Sequence, residues 1–380
     1  YKQLGNKFFD REFDFSRGTT ATFVGRNGLI QESAIDVPRI DFTDDTTGHL
    51  LLEPQSTNLM TYSEDFSNSF WLIQNLSVTL NSIISPNGNL NATKLIENTS
   101  NSTHRILNNS GLTVSGNISM SVFAKKGERN WIRLANNNLQ GAFFDLDNGI
   151  LGAVVFGVTA KIENYGNGWY RCSISQTGVA NERLAIYTSI DGVNTTYQGD
   201  GTSGVYIYGA QLEQNSFATS YIPTSGSTVT RNQESCNNSG TASDFNSEEG
   251  VLYAEISALA NGGVGDRYIS LGSGSSQNTI QLLFHNTANR VNFRLTKAGS
   301  LEVNISDFTF LQTDDLKIAC KFKENDFALW INGVERVVDT SGETFSVNTL
   351  QEIQFDSGTG ASNFYGKTKN LKVFKRALTD

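Results

Sequence analysis

In the stretch Ile118 to Ala124, the apolar residues Ile118, Met120, Val122 and Ala124 are separated by Ser119, Ser121 and Phe123. A period of two sends successive side chains to opposite faces of an extended chain, so this stretch reads as a strand with one face in a core. The alternation returns far downstream, where Leu316, Ile318, Cys320 and Phe322 interleave with Lys317, Ala319, Lys321 and Lys323. Trp169 to Ile174 and Val205 to Tyr208 are further strands of this kind. Turn signals separate the strands every ~8–12 residues, the spacing of sandwiches and barrels. Asp147-Asn148-Gly149 and Asn332-Gly333 are hairpin turns, because Asn and Gly tolerate the positive φ such turns require. The chain holds 35 glycines and only 4 prolines, is rich in Asn, Ser, Thr and Phe, and has few helix formers. These features specify an all-β chain: two antiparallel β-sandwich (jelly-roll) modules in tandem behind a short N-terminal β segment.

The 380 residues suffice for two or three cores at ~150 residues each. Residues 1–60 carry short strands around Phe13 to Phe15, Ala21 to Val24, Arg39 to Phe42 and Leu50 to Leu52. They are too few for a sandwich, so the segment is expected to pack on the next module. Residues 61–225 form the first module. Residues 226–246, small and polar, read as a linker. Residues 247–380 form the second module. There Leu316 to Lys323, Phe327 to Ile331 and Val334 to Val337 make a meander with one apolar face.

A net charge of −9 and the absence of a basic stripe argue against nucleic acid as a partner. No apolar run approaches the ~18 residues of a membrane span. The chain opens at Tyr1, as a trimmed segment would. Cys172, Cys236 and Cys320 are widely spaced, odd in number and without a CxxC, which argues against zinc ligands and a disulfide framework, and Cys172 and Cys320 sit in strand-like alternations as small buried apolar residues.

No constellation for catalysis emerges. There is no G-x-S-x-G, and His49, His104 and His285 share no metal-ligand spacing. Asp145 and Asp147 flank a turn and supply only half of a calcium loop. Aromatic rings that could stack on sugars are better candidates. Phe327, Leu329 and Ile331 share one strand face, so Trp330 points the other way beside Asn332, either under another layer or into a ligand groove. Trp131, just after the turn Gly127 to Asn130, suits rim or core. Trp330, Asn332 and Trp131 are therefore the candidate glycan-binding residues.

Several motifs occur in order: Asp14-Phe-Ser-Arg-Gly-Thr-Thr-Ala-Thr, Pro38-Arg-Ile-Asp, Leu51-Leu-Glu-Pro-Gln-Ser-Thr-Asn-Leu, Ser63-Glu-Asp-Phe, Tyr208-Gly-Ala-Gln-Leu-Glu and Ser220-Tyr-Ile-Pro-Thr. Across residues 13–231 they resemble a family of bacteriophage structural proteins, with 61–225 similar to a jelly-roll carbohydrate-binding domain. Ala328-Leu-Trp-Ile-Asn-Gly-Val-Glu and Leu371-Lys-Val-Phe-Lys-Arg-Ala-Leu resemble the laminin-G-like, concanavalin-A-like sandwiches. The resemblance implies a structural calcium ion held by Glu64 or Asp65 with Glu213, although Gly209-Ala210 stands where paired aspartates are usual. Family-16 glycoside hydrolases share the second architecture, but the comparable strand here has one carboxylate, Glu255. The expectation is a non-enzymatic component of a phage virion (tail fibre, appendage or capsid decoration), displayed on the particle after assembly in a host cytoplasm. Its partners would be host-surface polysaccharide, other virion proteins and further copies of itself. The rival readings are a purely structural virion component and a polysaccharide depolymerase.

Overall fold

A computed structural model describes residues 12–43 and 46–378. Among them, regular structure is strand apart from a single 3-10 turn at Ala242–Asp244. In the first module two six-stranded antiparallel sheets face each other. One runs Ile150–Val155, Gly141–Asp145, Trp131–Ala135, Ala185–Ser189, Arg105–Asn108, Trp71–Gln74. The other runs Thr159–Asn164, Trp169–Thr177, Asn117–Lys126, Gly204–Glu213, Leu90–Glu97, Leu76–Ile84. The alternation seen in sequence fills the space between them. Ile118, Met120, Val122 and Ala124 meet Ile106, Ile132, Leu134, Phe144 and Ile186 in one core.

The second module sandwiches a seven-stranded sheet on a five-stranded one. Leu252, Ile318, Cys320, Leu329 and Ile331 from the first pack on Ile269, Ile280, Leu282, Phe293 and Val303 from the second.

The N-terminal segment was expected to pack on the first module; the structure shows it binding both. Its hairpin Ala21–Val24 and Ile30–Ser33 lies on the outer side of the first module, where Ile30 joins Phe123, Trp169, Tyr208 and Tyr221. Its strands extend the second module's large sheet: His49–Leu52 pairs with Gly366–Phe374, and Arg39–Asp41 pairs with His49–Leu52. Leu50 and Leu52 are therefore part of the second core. The stretch 226–246, expected as a linker, is also built in. Val229–Arg231 pairs with Ser56–Asn58, and Ser235–Asn237 pairs with Asp14–Ser16. Small polar residues do suit a linker, but here their backbone groups complete short ladders.

A buried ion cluster closes this junction. Glu234 accepts from Arg17 at 2.8 Å and from Arg39 Nε at 2.9 Å. Glu53 lies 2.9 Å from Arg39 and 3.5 Å from Arg231, and Ser220 Oγ donates to it at 2.6 Å. Burial pushes the Glu53 carboxyl up, but Arg231, Arg39 and Ser220 outweigh it and hold it at about 2. Arg17, Arg39, Glu53 and Ser220 lie in the ordered motifs read from the sequence, whereas Arg231 and Glu234 lie beyond them. Those four residues therefore help tie the N-terminal segment to both modules.

Candidate functional site

On the outer face of the first module's Trp71–Gln74 sheet, one cross-strand row reads Gln74, Arg105, Tyr187, Arg133, Phe143. Each residue comes from a neighbouring strand, and alternation turns all five away from the core that Ile106, Ile132, Phe144 and Ile186 occupy. Tyr187 and Phe143 are buried as the floor, while Arg105 and Arg133 remain half-exposed above them. The Arg105 guanidinium lies 5.5 Å from the Tyr187 ring centroid, and that of Arg133 lies 5.7 Å from Tyr187 and 5.3 Å from Phe143. Such distances place a cation on a ring face.

The arginines are aimed by neutral groups. Arg105 donates to Gln74 Oε1 at 2.6 Å and to the Tyr187 hydroxyl at 2.8 Å. Arg133 donates to the Leu139 carbonyl, and its buried Nε has no hydrogen-bond partner. Among the described residues neither arginine forms an ion pair. With strands ~4.8 Å apart, the two cations are rooted ~10 Å from each other. Burial pushes the Arg133 guanidinium below its ordinary pKa, with no carboxylate to oppose the shift.

Above the row lies a shallow groove of about 780 Å³. Its wall is the ladder of Asn101–Thr103 with Thr196–Gln198, where Thr103 and Thr196 share a 3.0 Å hydroxyl contact. Asn75 braces that wall through Ser102 Oγ at 3.1 Å and the Thr103 carbonyl at 2.9 Å. Leu139, on the rim, adopts φ 62° with its side chain exposed, a conformation uncommon for a bulky residue. No Asp or Glu lines the groove. Hydroxyls, an amide, an apolar rim and two cations with spare donors can bind an acidic sugar chain.

Trp131 lies on this same sheet face, two residues from Arg133 along its strand. Its ring is half-buried and wedged beside the backbone of Gly152 and Gly192, where an added Cβ would sit 2.6 Å away. It flanks the row. Trp330 is on the outer face of the second module's large sheet, as alternation implied: Phe327, Leu329 and Ile331 are buried, and Trp330 is half-exposed. It shares a cross-strand row with Ala319 and Tyr253. Asn332 has φ 53° in its turn, and its Oδ1 accepts from Lys317 N at 2.9 Å. That oxygen is committed to the hairpin. The structure thus brings Trp131 to the arginine row and leaves Trp330 with Asn332 on the other module.

The carboxylates expected at a calcium ion are held separately by protein donors. Glu64 accepts from Tyr208 at 2.9 Å and Tyr221 at 3.0 Å. Asp65 caps Ser67 N at 3.1 Å. Glu213 accepts from Ser56 Oγ at 2.5 Å and Thr219 N at 3.0 Å. Calcium takes six to eight oxygens. Among the described residues no three His, Cys, Asp or Glu side chains converge as a metal set, and Glu64, Asp65 and Glu213 are not gathered into one. All three thiols are buried, and burial pushes each up in pKa, away from a nucleophilic thiolate.

No protein-family profile matches the chain, and a search of curated proteins finds no match. Among solved structures, 38% of the chain is similar to 89% of the CBM40 of Ruminococcus gnavus IT-sialidase, described as bound to alpha2,3 sialyllactose, at 16% identity and TM-score 0.31. A second likeness, to domains LG4-5 of the mouse laminin alpha1 chain, covers 74% of this chain and 90% of that one at 11% identity and TM-score 0.26. Neither likeness assigns a ligand to this chain.

The row Arg105, Tyr187, Arg133 was not apparent from the sequence. Its members are widely separated, and only the strand register aligns them. The available signal was a single outward-facing Arg in each of two short strands that are otherwise uncharged, Trp131-Ile-Arg-Leu and Arg105-Ile-Leu.

Proposed function

We propose that this chain is a non-catalytic adhesin of a phage particle, displayed on the virion surface, that binds acidic polysaccharide through the outer face of its first module. The observation that carries the glycan reading is the pair Arg105 and Arg133, stacked on buried aromatics under an open groove without a carboxylate. A half-desolvated guanidinium with unused donors favours a carboxylate or sulfate, and hydrogen bonds to a charged group contribute about 1.5–3 kcal/mol each. The virion assignment rests on the ordered motifs between Asp14 and Thr224. In that setting other virion proteins and further copies of the chain are its neighbours. Weak binding per site then gains from many copies on one particle.

The test is titration of the intact chain with polygalacturonate, dextran sulfate and neutral dextran by calorimetry, together with antibody labelling of intact particles. Acidic polymers should bind and dextran should not. Arg105→Gln and Arg133→Gln should each weaken binding about tenfold or more, the equivalent of ~1.4 kcal/mol. No binding to any of the three, with unaltered behaviour of both variants, leaves the purely structural reading. Release of new reducing or unsaturated ends from the polymer would establish a depolymerase.

A further inference from the structure

The two modules also enclose a cleft of about 410 Å³. Its first wall is the end of the first module, with Asn117, Gln214, Asn215 and Phe217. Its second wall belongs to the other module, with Arg267 and Tyr365. Ligand sites fall between about 300 and 1,000 Å³ and favour boundaries between domains. Size and position alone would not decide the matter; the polar groups of the cleft do.

Arg267 is only 2% exposed, and it stacks on Phe284 at 5.8 Å. Its hydrogen bonds go to neutral acceptors, the Ala260 carbonyl at 2.7 Å and Gln312 Oε1 at 2.6 Å. Among the described residues it has no ion pair. Its Nε is buried and has no hydrogen-bond partner, and Ser216 Oγ on the facing wall is in the same condition. Burial pushes the guanidinium down to about 10, so it still carries its charge at neutral pH. Arg267, a buried cation without an ion pair and with Asp266 as its one charged neighbour of note, and Ser216 therefore line one space, each with a polar atom that has no hydrogen-bond partner. Leaving such atoms unpaired is costly, and a bound group that pairs them recovers that cost.

The remaining lining suits a sugar. Gln214 and Asn215 use their amide nitrogens on Ser115 at 3.2 Å and Ser56 at 2.8 Å, which leaves their carbonyl oxygens to accept from hydroxyls. Phe217 and Tyr365 supply apolar faces for C–H groups. We infer that this cleft is a second binding site, which takes one carboxylate-bearing monosaccharide unit with its carboxylate toward Arg267. The site is independent of the arginine row on the sheet face, and nothing in it depends on that row being a glycan site.

Galacturonate and galactose differ only in the carboxylate at C6, so they serve as the probe pair. The row on the sheet face is first silenced: the intact chain carrying Arg105→Gln and Arg133→Gln, titrated with each and followed by saturation-transfer NMR, should bind galacturonate saturably and galactose at least tenfold more weakly. Added to that background, Asn117→Trp fills the cleft from an exposed strand end and should abolish the remaining binding while leaving the melting temperature unchanged. Gln214→Trp is a second occluding variant should the first melt lower. Two results would overturn the site: no saturable binding by the double variant, or binding that survives both occluding variants.

Discussion

Arg133 is a side chain whose burial runs at the expense of the fold. Burial lowers its pKa, and no carboxylate in the protein compensates. Replacing it with Gln removes a half-buried charge and the repulsion from Arg105 across Tyr187. The expectation is that Arg133→Gln loses ligand about tenfold yet melts at or above the parent temperature in differential scanning calorimetry. A clear drop in melting temperature would make Arg133 a structural residue. The junction cluster behaves oppositely. Glu234 is fully buried between Arg17 and Arg39, and removing one partner from a buried ion pair costs about 3–5 kcal/mol. Glu234→Ala should accordingly lower the urea midpoint sharply. The cluster also makes stability depend on pH. Glu53 has a folded pKa of about 2 against an ordinary 4.5, so its contribution is complete above pH 4.5 and fades as pH falls from there toward 2. Urea midpoints measured from pH 6 to pH 2 should fall in that window, and Glu53→Gln should flatten the fall. Trp330 shows what alternation can and cannot reveal. Its outward direction was readable from Phe327, Leu329 and Ile331, but whether Tyr253 would stand two strands away was a matter of register.

Elements carry the same lesson at larger scale. The long strands Asn117–Lys126 and Leu316–Lys323 announced themselves by period two, because an intramolecular core on one side imposes that pattern locally. The short strands His49–Leu52 and Arg39–Asp41 were visible as strands, yet their destination was not. A run of three apolar residues at Leu50 to Leu52 fits any sheet buried on both faces. What selects the second module is the open edge of Gly366–Phe374, more than 300 residues away in sequence. An uncovered edge strand is a site for unwanted pairing, and the N-terminal segment covers it. Leu52, only 1% exposed in the second core, is the element's anchor. Leu52→Ala should cost about 2–5 kcal/mol, and because the loss lies in the second core it should loosen residues 247–380 as well as the N-terminal segment. Hydrogen exchange localises the effect: faster exchange confined to residues 12–60 would mean that the strand is an accessory of the sheet and not part of its core.

For the whole molecule, the connections between modules are as well built as the modules themselves. The chain leaves the second module's sheet at Leu52, passes the buried Glu53, and two residues after Pro54 enters the ladder Ser56–Asn58 with Val229–Arg231. Leu59 N then donates to the Leu212 carbonyl at 2.9 Å, inside the first module. A loose tether would let two sandwiches unfold independently. Here, unfolding the first module strips Ser220 from Glu53, and unfolding the second removes the partner of His49–Leu52 and exposes the same cluster. Each event leaves buried charges without their partners, so partial unfolding forfeits much of the stability of what remains. A single calorimetric transition is the consequence, with calorimetric and van't Hoff enthalpies in agreement. Glu234→Ala should split it into two by severing the coupling while leaving both hydrophobic cores intact. Chelation gives a further discriminator, because Glu64, Asp65 and Glu213 are satisfied by tyrosine, serine and threonine donors. Excess EDTA should leave that transition where it is, and a downward shift would mean that an ion, and not the arginine–glutamate cluster, holds the modules as one unit.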